Sequence, residues 1–372
     1  MRYALDTLSC VCALGRTHDK ILSNLRARST AGMVPLAADI PGRTVLFGAV
    51  SGELPTIDDP EYDMRTNRLL AQAVASERAA FDAFIARYGA DRVAIVLGTS
   101  NTGIDEAQRH VDTWLASGTK PEAMRFSEIE LGTPAEFLAR LLGVTGPAYS
   151  ISTACSSSAK VFPAARRLIE AGVVDAAIVG GADGRCRFAL NGFHALGALS
   201  QGLCRPLAPD RDGINLGEGA ALFTMARAEG DAICFAGAGE TSDAYHPTAP
   251  DPEGNGAEAA MRAALADAGL GPSDIAYVNL HGTGTPANDA MEMKAMARVF
   301  PDIETGDGPA YESTKPLTGH CLGAAGAVEA ALCWLKLAAG DVKGAALSSS
   351  FAFGGSNAAV ILSPPPSRSL GR

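Results

Sequence analysis

The chain has 372 residues, 47% hydrophobic and 19% charged, and its 31 Lys and Arg against 41 Asp and Glu give a formal net charge of -10. That acidic balance excludes nucleic acid as the main partner, because phosphate binding needs a surplus of cations. The large apolar fraction excludes disorder, and the length allows about two domains or two halves of one layered fold.

At the N-terminus Arg2 precedes apolar residues that Asp6 interrupts, and no small-residue cleavage site follows, so the segment reads as a first strand and not a signal peptide. From there, short runs rich in Val, Ile and Ala alternate with longer Ala, Leu and Arg segments, the pattern of an α/β fold. In chain order the pattern predicts a helix over 67–87, a strand over 92–98, a helix over 134–142, a strand over 148–152 and a helix over 156–171. Strands over 176–180 and 221–226 follow, then a helix over 256–268, a strand over 275–280, helices over 287–299 and 326–339, and a strand over 345–349. The apolar runs read as buried strands because each is short and bounded by Gly, Ser or Asp. No stretch of 18 apolar residues without a charge occurs, so no membrane insertion is expected.

Eight cysteines, at 10, 12, 155, 186, 204, 234, 321 and 333, are scattered without a CxxC pair. They read as reduced thiols of a cytoplasmic protein, and no structural metal is expected. The stretches DRVAIVLGTSNTG from Asp91 and SDIAYVNLHGTGT from Ser273 share an acidic turn, an apolar strand and a Gly/Thr-rich loop. Cys155 and His320 each precede a small-residue helix and a further strand. Two similar halves, 1–230 and 231–372, are therefore expected to share one continuous core, with no linker between them.

Four segments carry the chemistry. In YSISTACSSSAKVF, Cys155 follows a strand and precedes a helix, where the helix dipole and free amides would favour a nucleophilic thiolate. A buried cysteine acting as a small hydrophobe is the alternative. In NLHGTGTPANDAMEMKA, His281, Thr283 and Thr285 occupy a strand-to-helix loop, the edge where α/β proteins place their chemistry. In STKPLTGHCLGAAGAVEAALCW, His320 precedes a helix, and Lys315 could pair with Glu329 beside it, although a solvated lysine is an equal reading. In SSSFAFGGSN, Phe353 meets Gly354 and Gly355 in a turn that can present amides to an oxyanion.

TACSSS, HGTGT, KPLTGH and FGGSN, in this order and with PLAPDRDGINLGEGAAL between the first two, resemble the motifs of the elongating, Cys-His-His type β-ketoacyl-ACP synthases of the thiolase superfamily. The resemblance covers almost the whole chain. It implies a five-layered αβαβα thiolase-like fold of two pseudo-repeated halves. It also implies decarboxylative Claisen condensation with malonyl-ACP, extending a fatty acid or polyketide chain by two carbons. By carry-over, Cys155 is the acylated nucleophile, and His281 and His320 donate hydrogen bonds to the malonyl thioester during decarboxylation. Lys315 and Glu329 support them. The amides of Cys155 and Phe353 form the oxyanion hole, with Phe353 also gating the acyl pocket. Thr283, Thr285, Gly354 and Gly355 are implied to bind substrate. The resemblance implies no bound cofactor or metal for catalysis, the substrates arriving on the phosphopantetheine of an acyl carrier protein.

The thiolases are the less similar branch, since the C-terminal turn has no cysteine. A catalytically silent chain-length factor is the second reading, against which the presence of Cys155 and both histidines speaks. The compact segment between Asn101 and Pro147 and the short chain are similar to discrete synthases of bacterial aryl polyene and related polyketide clusters, some of which pair with a chain-length factor. Homodimer and heterodimer both stay open. An acidic carrier protein meeting an acidic chain requires a local cationic patch, and Arg65 and Arg68, three apart at the start of a predicted helix, match a region of carrier docking in the family; an ordinary solvated helix face is the alternative.

Overall fold

The computed structural model describes residues 2–40, 42–303 and 305–365. Its main sheet has eleven strands. They run in the order Ala310–Glu312, Ile275–Asn279, Ala345–Phe351, Ser356–Ser363, Cys234–Ser242, Tyr3–Ala4, Gly219–Arg227, Ala176–Asp183, Val93–Gly98 and Ala148–Ile151, with Leu8–Cys12 also paired to Gly219–Arg227. The two ends of this order repeat each other. Val93–Gly98 lies parallel between Ala148–Ile151 and Ala176–Asp183, and the latter is antiparallel to Gly219–Arg227. Ile275–Asn279 likewise lies parallel between Ala310–Glu312 and Ala345–Phe351, and the latter is antiparallel to Ser356–Ser363. Tyr3–Ala4 bonds to a strand of each half and joins them.

Strand alternation explains the layers. Ala94 and Val96 face a central cluster containing Val161 and Phe162 of helix Val161–Glu170 and Val328, Leu332 and Leu335 of helix Ala325–Ala339, while Ala346 and Val360 reach the same cluster from the other half. Val93, Ile95 and Leu97 point the opposite way, onto Leu69, Leu70 and Leu138 of an outer helical layer. Val278, Leu347 and Ile361 point outward in the second half, onto Met261, Leu265 and Met296. The period-two pattern of each strand thus buries both its faces, giving five layers, helix, sheet, helix, sheet, helix. The one segment among the described residues that is long and apolar enough to cross a bilayer, Leu322–Ala339, is this central helix, with 78% of it buried inside the protein.

Most predicted elements occur within a few residues of their expected bounds. The helix expected over 67–87 is two helices, Arg65–Ser76 and Arg78–Tyr88, because Glu77, with φ -132° and ψ 28°, leaves the helical region between them. The expected 156–171 helix begins as a 3-10 turn, Ser157–Ala159, before the α-helix Val161–Glu170. A helix at Ile104–Ser117 and a hairpin of Met33–Ile40 with Arg43–Gly48 have no counterpart in the sequence prediction.

Candidate active site

The carboxyl ends of the parallel strands in both halves meet at one place, and there the chain turns into the two central helices. Cys155 follows strand Ala148–Ile151, after Ala154 in a left-handed conformation with φ 51°. The Ser157 hydroxyl donates to the Ala154 carbonyl at 2.5 Å and accepts from the Thr153 amide at 2.9 Å, so the small polar residues of TACSSS knit the turn that presents the sulfur.

His281 lies just past strand Ile275–Asn279. Its amide donates to Glu292 Oε1 at 2.8 Å, and the Gly282 amide donates to Glu292 Oε2 at 2.7 Å. The Ser349 hydroxyl, on the neighbouring strand, donates to Glu292 at 2.8 Å. His320 is held through its backbone. Its amide donates to the Asn215 carbonyl at 2.8 Å and its carbonyl accepts from the Gly217 amide at 2.9 Å. Gly319 has φ 67°, and a Cβ there would lie 2.3 Å from the Leu216 oxygen, so a side chain would push His320 off this seat.

The three side chains converge, with one ligand-capable atom of each lying within 4.8 Å of the others. The two rings meet edge to face, centroids 5.3 Å apart. Both ring nitrogens of His320 and Nδ1 of His281 are buried without a hydrogen-bond partner among the described residues. Burial holds both imidazoles well below the usual histidine range, and the Lys315 ammonium lowers them further. Each is therefore neutral at working pH, with one N–H to donate and one lone pair to accept. Lys315 Nζ sits 2.5 Å from Glu329 Oε1, both side chains buried. The sequence left a solvated lysine open; this pair is an interior one, with each charge compensating the other.

For Cys155 the direction differs from the sequence expectation. Burial pushes its thiol up to about 12, against the lowering effects of Lys315 and of a hydrogen bond from the Phe353 amide. Desolvation at this buried position outweighs the groups that favour the thiolate.

A cavity of about 210 Å³ opens onto the trio. Thr283, Thr285 and Phe353 line it, as do the apolar Phe193, Leu196, Ala198 and Ile214. The hydroxyls of Thr283 and Thr285 are 2.9 Å apart. Phe353 stacks on Phe193 with centroids 5.4 Å apart and planes 21° from parallel, a contact the sequence reading missed. Gly354 and Gly355 do not line the cavity; their amides donate to the Pro247 and Ala352 carbonyls at 2.7 and 3.0 Å, so they shape the turn that carries Phe353.

Arg65 and Arg68 require a larger correction. Arg65 grips both oxygens of Glu218, at 2.5 and 2.6 Å, and the Glu218 side chain is fully buried. Arg68 grips both oxygens of Asp63 at 2.6 Å on the partly exposed surface. The pair is not a free cationic face, and Arg65 serves the interior.

Glu292 and Asp183 escaped the sequence reading. Asp289 and Glu292 stand one helical turn apart immediately after HGTGT, and that spacing of two acids facing a glycine loop was the available signal.

The family profile for the β-ketoacyl synthase N-terminal domain matches residues 65–230, and that for the C-terminal domain matches residues 233–345. Nodulation protein E of Rhizobium meliloti is 32% identical over 363 residues, spanning 92% of this chain and 87% of that protein. The 3-oxoacyl-[acyl-carrier-protein] synthase 2 of Staphylococcus aureus is 40% identical over 209 residues, 53% of this chain and 51% of that protein. A chain from the solved complex of the ketosynthase ApeO with its chain length factor ApeC, from Xenorhabdus doucetiae, superposes with a TM-score of 0.91 at 40% identity, covering 98% of both chains. The chain belongs to the β-ketoacyl synthase family of condensing enzymes, which are acyltransferases.

Proposed function

We propose that Cys155, His281 and His320 perform the family's decarboxylative condensation. The observation that carries this reading is their convergence within 4.8 Å at the floor of a largely apolar cavity. The Cys155 sulfur attacks the thioester of an acyl group on a carrier protein's phosphopantetheine, forming an enzyme thioester and releasing the carrier thiol with the proton of Cys155. Malonyl-carrier then enters. Loss of carbon dioxide leaves an enolate whose oxygen accepts the N–H groups of the two neutral rings, so no strong base is needed. The enolate carbon attacks the Cys155 acyl carbonyl, whose oxyanion is held by the amides of Cys155 and Phe353. Collapse breaks the thioester C–S bond to Cys155, the expelled thiolate takes a proton from solvent, and the carrier bears a β-ketoacyl chain two carbons longer. An apolar cavity under the stacked Phe193 and Phe353 protects the carbanion from water.

The carrier protein is the partner named for the Staphylococcus relative, and the chain length factor is the partner of ApeO. Strand Ala148–Ile151 ends the sheet with one edge unpaired among the described residues, and Trp114, Leu115, Phe126 and Ile129 are exposed nearby in sequence. Both features suit a second synthase-like subunit, and the likeness to ApeO favours a heterodimer with a chain-length factor, in keeping with the aryl polyene or polyketide kind that the sequence motifs resemble. Of the two arginines, Arg68 is the one left for carrier docking. Eight buried, unpaired cysteines suit a cytoplasmic enzyme, and its two halves divide near residue 230, the first bearing the nucleophile and the second the histidines.

Intact-protein and carrier-bound product mass spectrometry with acyl-ACP starters and malonyl-ACP tests this. Cys155→Ala should carry no acyl adduct. His281→Ala and His320→Ala should still acylate but release carbon dioxide from malonyl-ACP about 10²–10³-fold more slowly. Equal decarboxylation in wild type and both histidine variants would overturn the roles, and a wild type that never acylates would favour the silent chain-length factor.

A further inference from the structure

We propose that Cys155, His281 and His320 also form a three-point site for a thiophilic divalent cation, zinc, and that zinc bound there switches condensation off. Binding stands on geometry and ligand chemistry alone; only the loss of activity rests on the catalytic reading above.

Three observations carry it. The donor atoms already lie within 4.8 Å of one another. Tetrahedral zinc, with sulfur at about 2.3 Å and nitrogen at about 2.0 Å, spaces its ligands by roughly 3.3–3.6 Å, so rotations moving each donor by about 1 Å complete the site. The nitrogens are also uncommitted. Both of those on His320 and Nδ1 of His281 lack partners among the described residues, in side chains of residues only 1% and 2% exposed, and a buried polar atom without a partner carries a desolvation cost that a metal bond removes. Finally, the cavity gives a route from solvent and leaves the fourth position for water.

The donor set selects the ion. One thiolate and two imidazoles suit a borderline-soft cation, whereas magnesium and calcium require oxygen ligands. Lys315 beside the site would repel a cation, but Glu329 at 2.5 Å compensates its charge. Thiolate formation removes one of the two zinc charges. The step balances simply: the Cys155 S–H bond breaks, its proton goes to solvent, a zinc–sulfur bond forms, and nothing is oxidised or reduced. A sulfur so held cannot attack a thioester, so the ion acts as an inhibitor and not as a cofactor.

Titration of the full chain with Co²⁺ as spectroscopic probe, and Zn²⁺ as competitor, decides the matter. One equivalent of Co²⁺ should give a thiolate-to-cobalt charge-transfer band with four-coordinate visible bands, and one equivalent of Zn²⁺ should erase them while one proton is released per ion. Prior alkylation of Cys155 by iodoacetamide, and separately Cys155→Ala, should abolish the band; the alkylated wild type serves if the variant does not fold. Condensation should fall in step with zinc occupancy and return with EDTA. A band that survives in alkylated or Cys155→Ala protein, or no band while Cys155 is open to iodoacetamide, overturns the site. Should the catalytic reading fail instead, the cobalt band would appear in a protein that forms no acyl adduct, which separates the two.

Discussion

The two halves build the same corner and use it differently. Gly98 pairs with Ile151 and Gly181, and Asn279 pairs with Glu312 and Ser348, so the loops starting at Thr99 and Leu280 occupy equivalent places. A buried carboxylate gathers each loop. In the first half Asp183 accepts the Thr99 hydroxyl at 2.7 Å, the Ser100 hydroxyl at 2.8 Å, the Asn101 amide at 2.9 Å and the Gly323 amide at 2.6 Å. In the second half Glu292 takes the amides of His281 and Gly282, while the His281 ring is left out of the network with Nδ1 unpartnered. Where the loop side chain is consumed by the carboxylate the corner is scaffold. Where only the backbone is consumed, an imidazole remains for chemistry.

The largest way to break this comparison is Asp183→Ala. It leaves several buried donors without an acceptor, including one on the loop after His320, and should destabilise the protein by on the order of 4 kcal/mol or more. Chemical denaturation measures it. A loss no larger than that of a Glu292 substitution would remove the distinction between scaffold and site.

Glu292→Gln should act less on stability and more on chemistry. A glutamine can accept one of the two amides but meets the other with its own NH₂, costing about 1–2 kcal/mol and loosening His281. Burial raises the Glu292 pKa to about 7. Between the ordinary carboxylate range and that value the folded protein holds a proton that the unfolded chain has released, so this group makes stability fall as pH rises through the window. The fall should be shallower in Glu292→Gln, with malonyl decarboxylation reduced. Denaturation midpoints at about pH 5 and about pH 8 provide the check, and an unchanged slope would sink the assignment.

The sequence made some of this legible and hid the rest for physical reasons. Strands such as Val93–Gly98 are buried on both faces, so they stand out as unbroken apolar runs. Strand Cys234–Ser242 does not, because glycine sits where a helix packs closely: a Cβ on Gly239 would lie 2.0 Å from the Ala260 oxygen. Cys155, His281 and His320 were legible as candidates because each sits in a compact motif, the first two just past a strand end and His320 at the turn after helix Lys315–Thr318. Asp183 was not, since its partners come from 82 to 140 residues away and only the tertiary fold makes its burial apparent. The thiol pKa failed for the same reason: a helix start is visible in sequence, but the depth of its burial is not.

The smallest expected effect sharpens the contrast on a single helix. Arg65 and Arg68 share the first turn of Arg65–Ser76, but Glu218, the partner of Arg65, is fully buried, whereas the side chains of Arg68 and Asp63 are 35% and 29% exposed. Removing Arg65 takes the guanidinium from a buried carboxylate that also accepts the Val50 and Arg185 amides, and Arg65→Ala should cost about 2–3 kcal/mol. Arg68→Ala removes a solvent-screened pair and should cost no more than about 1 kcal/mol. Because the Arg68–Asp63 pair lies on the partly exposed surface, where a partner could compete for the guanidinium, Arg68→Glu should weaken carrier-protein binding, more at low salt than at high, with the melting temperature nearly unchanged. Unchanged carrier affinity at low salt would leave Arg68, like Arg65, with a purely structural part.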